Sequence, residues 1–94
     1  MGPPQYDSGW VPLAPGAAVT KTHNLGGDPD HYFVDFQCKE PVTAGVNLLR
    51  YGIDKNGALT YGAGWTNLTA TTIRIKRESN DTLAPEVRIR IWKY

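Results

Sequence analysis

Cysteine is nearly absent from this chain of 94 residues. Cys38 stands alone, so no disulfide can form within the chain and the fold must rest on its core. An excess of charge of one sign is missing too. Ten Lys and Arg against nine Asp and Glu leave a formal net charge of +1, which argues against nucleic acid as a partner, because such binders concentrate basic residues. No apolar run approaches the roughly 20 residues of a membrane-spanning helix, and the opening does not read as a signal peptide, so membrane insertion is not expected. The two histidines, His23 and His31, lie in no nucleophile–base motif, and the nine acids form no signature pair, so enzyme activity is not expected. A helical period is missing throughout.

What is present is period-2 alternation. Residues 86–94 (EVRIRIWKY) place Val87, Ile89 and Ile91 on one side of an extended backbone and Arg88, Arg90 and Trp92 on the other, the pattern of a half-buried strand. Residues 31–40 (HYFVDFQCKE) read as a central strand, with Tyr32, Val34, Phe36 and Cys38 opposed to Phe33, Asp35 and Gln37. Residues 6–13 (YDSGWVPL) read as a first strand with Trp10 as a core anchor, and Pro12 marks an edge. Residues 17–24 form a more polar strand with an outward Thr face, and residues 42–51 a strand bent near Gly45. Asn56-Gly57 suits a hairpin turn. Residues 59–67 read as a strand weakened by Gly62 and Gly64; residues 69–77 point Ile73 and Ile75 inward, Arg74 and Lys76 outward. Turn signals between these runs predict an all-β antiparallel sandwich or barrel. Residues 1–5 read as a leader or the end of a stalk, since Gly2-Pro3-Pro4 is one collagen-type triplet. Residues 6–94 read as a single domain.

Two groups of residues carry candidate chemistry. His23, Asp28, Asp30 and His31 offer nitrogen and oxygen ligands, but their spacing matches no standard metal site, and Asp around Pro builds Asx-type turns. No metal or cofactor is expected. Aromatic rings cover the C–H faces of sugars, and short polar groups read their hydroxyls; Thr60, Tyr61, Trp65, Thr66 and Asn67 have that chemistry, although aromatics in a small sandwich are also core material. The sequons at Asn67 and Asn80 read as turn residues.

The order of these pieces, with DSGW at residues 7–10, a Pro-led aromatic strand at 29–38, Thr-Thr-Ile in the strand at 71–76 and a terminal VRIRIW, resembles the H-type lectin domain. That family includes snail agglutinins, the C-terminal part of discoidins, and bacterial and phage tail-fibre relatives. The resemblance covers residues 6–94 and implies a six-stranded antiparallel β-sandwich that assembles as a homotrimer, in some members stacked to a hexamer. It implies glycans of the N-acetylgalactosamine or galactose class bound between protomers, in adhesion at an extracellular, cell or virion surface as part of a larger protein. The family's loop acid, middle-strand Arg and Trp-His pair have no counterparts here: the first loop is Ala14–Ala17, and Thr60 and Asn80-Asp81 occupy the other two places. The expected carbohydrate-binding residues are therefore Thr60, Tyr61, Trp65, Arg77, Asn80 and Asp81. Asp35, Gln37, Arg88, Arg90 and Trp92 are expected at the oligomer interface, with Asp35 and Gln37 pairing the guanidinium groups. The alternative is a structural trimerisation or capping domain that binds no sugar.

Overall fold

The computed structural model describes residues 2–40, 45–47, 52–53, 60–82 and 84–94. In chain order the strands are β1 (Tyr6–Asp7), β2 (Val11–Pro12), β3 (Ala18–Thr22), β4 (Tyr32–Glu40), β5 (Gly45–Asn47), β6 (Gly52–Ile53), β7 (Thr60–Tyr61), β8 (Ala63–Thr66), β9 (Thr72–Arg77) and β10 (Glu86–Lys93). The chain is all-β, with two main antiparallel sheets. The expected turn at Asn56-Gly57 and most of the strand expected over 42–51 lie outside the described residues.

The two most regular runs form the centre of the larger sheet. β10 pairs along its whole length with β4, from Glu86 opposite Lys39 to Lys93 opposite Tyr32. Both strands keep strict alternation, so Phe36, Cys38, Val87, Ile89 and Ile91 all point to one side and are buried. β1 and β2 pair with the other edge of β10, and β5 extends the sheet beyond β4. The smaller sheet runs β3-β9-β8. Its buried Ile73, Ile75 and Ala63 join the larger sheet's apolar face, with Leu13 and Ala84, in one core. Burying an Ile or Val side chain contributes about 1.5–3 kcal/mol, so this face-to-face contact holds the domain together. β6 and β7 form a separate two-stranded ladder.

Two of the expected strands are split, each at a glycine with positive φ. Gly62 (φ 81) divides β7 from β8. Gly9 (φ 66) divides β1 from β2, and here register is lost as well. Asp7 lies opposite Arg90 and Val11 opposite Val87, so Ser8, Gly9 and Trp10 face only Arg88 and Ile89. The extra residue is a β-bulge. Ser8 repairs the ladder on both sides of it, its amide donating to the Ile89 carbonyl at 2.9 Å and its hydroxyl accepting from the Ile89 amide at 2.9 Å. One added residue reverses the facing of everything beyond it. Val11 consequently enters the core. Trp10 does not become the core anchor expected of it. It stands on the outer face, with Lys39 Nζ 5.0 Å and Arg88 Cζ 5.8 Å from its ring centroid.

The loop before β4 is shaped by Asp28, whose Oδ1 accepts from the Asp30 amide at 2.9 Å and caps a single 3-10 turn, Pro29–His31. No helix among the described residues is long and apolar enough to cross a membrane.

Candidate functional site: an aromatic and guanidinium sheet face

Alternation along β4 and β10 sends Phe33, Asp35 and Gln37, with Arg88, Arg90 and Trp92, to the outer side of the larger sheet. Directly opposed positions interact across the ladder. Phe33 faces Trp92 in register, and their rings meet edge-on at 5.8 Å. Arg90 faces Asp35, donating from Nε to Oδ2 at 3.0 Å and again from Nη2. Its guanidinium also lies 5.7 Å from the Trp92 ring centroid. Asp35 is thus the partner expected for Arg90.

Gln37 is not the partner of Arg88, although it stands opposite in register. Arg88 reaches across to β1 instead, where Nε donates to Asp7 Oδ1 at 3.0 Å and Nη2 to Oδ2. A carboxylate accepts both forks of a guanidinium with full charge assistance, whereas a neutral amide cannot. The same Asp7 Oδ1 accepts the Gly9 amide at 2.8 Å, so the bulge also fixes the carboxylate. The Arg88 hydrogen bonds, then the Gly9 amide, hold the Asp7 pKa below its ordinary value, against the opposing effect of burial. Arg88 is pushed up by the same pairing.

The outer face therefore carries Trp10, Arg88, Arg90, Trp92 and Phe33, with two ion pairs roughly a quarter to a third exposed. Phe33 is 47% exposed. Trp10 and Asp7 were missed as members of this face. The Ser-Gly pair inside an otherwise alternating run was the signal that could have found both.

The residues expected to bind carbohydrate meet at one corner of the smaller sheet. Ala63 pairs with Arg77 and Trp65 with Ile75. The Glu78 amide donates to the Gly62 carbonyl at 2.9 Å, drawing the junction between β7 and β8 against the turn after β9. Thr60 and Tyr61 lie just before that junction, on β7. Asn80 is exposed in the turn. Trp65 shares the inner facing of Ile75, yet on the edge strand β8 it is 37% exposed. Next to it, Thr66 Oγ1 is sequestered without a hydrogen-bond partner among the described residues.

Arg77 and Asp81 are different. Both are buried and point into the protein. Arg77 Nε donates to Asp81 Oδ2 at 2.8 Å, Nη2 to the Asp81 carbonyl at 3.1 Å and Nη1 to the Leu13 carbonyl at 2.9 Å. Asp81 Oδ1 accepts from the Gly62 amide at 3.1 Å and Oδ2 from the Ala84 amide at 2.7 Å. The pair ties four chain segments together beneath the corner, and its charges are taken up there.

His23 is likewise engaged: Nδ1 accepts the Leu25 amide at 3.0 Å, which leaves Nε2 as donor to the Thr69 carbonyl at 2.9 Å. His31 is exposed, and no group of three or more His, Cys, Asp or Glu among the described residues could hold a metal ion.

Comparison with known proteins supplies no relative: no family model, curated protein or solved structure matches this chain.

Proposed function

We propose that this chain is a non-enzymatic carbohydrate-binding module of the H-type lectin kind, a six-stranded sandwich acting as a homotrimer within a larger surface or fibre protein. The observation that carries the sugar reading is Trp65, an exposed indole on an edge strand, with the exposed Asn67 two residues on. An exposed ring covers the apolar face of a pyranose, and a flanking amide reads its polar rim. Three linked sites raise the avidity of individually weak ones. Galactose and N-acetylgalactosamine are the class to test first.

A second reading is a trimerisation or capping head that binds no sugar. The internal engagement of Arg77 and Asp81 favours it, because the most strongly polar groups of the corner then have nothing left to offer a ligand.

A glycan array probed with multivalent protein separates the two. The lectin reading expects sugar-inhibitable binding that Trp65→Ala abolishes while the circular-dichroism spectrum and particle mass stay unchanged. Silence across the array supports the cap, and joint loss of folding and binding would make Trp65 a core residue.

A further inference from the structure

An indole N–H only donates, so a half-buried Trp on a sheet face needs an acceptor. Trp92 finds one at the opposite end of the chain: Nε1 donates to the Gly2 carbonyl at 2.7 Å. Gly2 is followed by Pro3 and Pro4. Gln5 anchors this arm at the sheet edge. Its amide donates to the Ile91 carbonyl at 3.0 Å, its Oε1 accepts the Lys93 amide at 2.9 Å, and its Nε2 donates to the Lys93 carbonyl at 3.4 Å. Beyond Gln5 the arm turns from the edge onto the outer face and ends on the indole.

A proline-containing segment presents carbonyl acceptors and apolar rings but few N–H donors, and its preset φ lowers the entropy lost on docking. An aromatic floor with one indole donor is complementary to it, the logic by which aromatic grooves take proline-rich peptides. Here the floor is only partly used. Phe33, edge-on to Trp92, is 47% exposed, and Arg90 beside the Trp92 ring is already paired with Asp35. A neutral, donor-poor ligand therefore meets no unpaired charge.

We propose that the Trp92–Phe33 end of this face is a docking site for an extended, proline-containing peptide of a partner protein, whose carbonyl takes the indole hydrogen bond that the Gly2 carbonyl takes in cis. The inference is independent of sugar binding at Trp65.

The test is nitrogen-edited NMR of the full chain, following the indole N–H signals, with the Trp92 signal assigned by its disappearance in Trp92→Phe. The probe is a capped Gly-Pro-Pro-Gln peptide, with Gly-Ala-Ala-Gln as control, titrated into the wild type and into the Pro3→Ala/Pro4→Ala variant. The proline peptide should move the Trp92 signal and leave that of Trp65 in place, and the alanine peptide should do neither. A seated arm reduces apparent affinity in proportion to the time it leaves the site free, so the variant should bind the proline peptide several-fold more tightly than the wild type. An equal response to the alanine peptide, or no response in the variant, would overturn the site. A galactose-class sugar moving the Trp92 signal where the peptide does not would overturn the ligand class. A shift that follows protein concentration alone would give the site to a second copy's arm and overturn the partner peptide.

Discussion

The two outer faces of this sandwich are built on the same alternating backbone and present opposite chemistry. On the smaller sheet the outward positions are Ala18, Thr20, Thr22, Thr72, Arg74 and Lys76, short hydroxyls and long cations over water. Among the described residues, the ion pair on this side is a loose one, Lys76 to Glu78 at 3.9 Å. On the larger sheet the outward cations sit beside aromatic rings, and Arg88 and Arg90 each have a dedicated carboxylate. Solvation explains the first face completely. The second spends two Trp, a Phe and two paired guanidiniums on a surface that water alone does not require, and Trp and Arg are the residues enriched where proteins meet.

A third Arg–Asp pair sharpens the contrast. Arg77–Asp81 is almost fully buried, whereas Arg88–Asp7 and Arg90–Asp35 are roughly a quarter to a third exposed. The largest expected effect follows from that difference. Asp81→Ala strands the Arg77 charge in the core and removes the acceptor of the Gly62 and Ala84 amides, a loss of about 3–5 kcal/mol. Urea denaturation should show it as a lower midpoint, and a loss under 1 kcal/mol would contradict the buried pair. Next comes Arg90→Glu, which sets a second carboxylate against Asp35 on the proposed interface. Two like charges held together under a covering partner disfavour association by several kcal/mol, which weakens it more than about tenfold. Sedimentation velocity should show the assembly dissociating, and an unchanged particle would place Arg90 outside the interface.

A smaller effect is expected from pH. The folded Asp7 pKa is depressed, so its contribution is present above the unfolded carboxylate value of about 4 and is lost as pH falls through the folded value. Asp7→Asn should therefore lower stability at neutral pH and flatten its decline below about pH 4; parallel curves for the two proteins would remove Asp7 from the account. The smallest effect should be Arg74→Glu on the solvated face, within about 0.5 kcal/mol and without change in particle mass. A loss as large as that of Arg90→Glu would erase the distinction between the faces.

Residues 31–40 and 86–94 were legible in the sequence because nothing interrupts their alternation, and the structure pairs them face for face. The first strand was legible only in part. Ser8-Gly9 adds a residue on one side of a ladder, and the facing of Trp10 depends on a partner strand that local sequence does not contain. Arg77 was a different lesson. The alternation that turns Ile73 and Ile75 inward turns Arg77 inward too, and a buried Arg demands a carboxylate, which Asp81 supplies four residues later. The periodicity held that answer, while the family resemblance had set the pair among the expected sugar-binding residues. Arg88 choosing Asp7 over Gln37 required the bulge, and so stayed hidden with it.

The central proposal is that the Trp10, Arg88 and Arg90 part of this face, away from the Trp92–Phe33 end, is covered by further copies of the chain. Sedimentation equilibrium of the purified domain over a wide concentration range tests it most directly. The account predicts a mass three times that of the chain, or six times where trimers stack. A single-chain mass persisting at the highest concentration would contradict it.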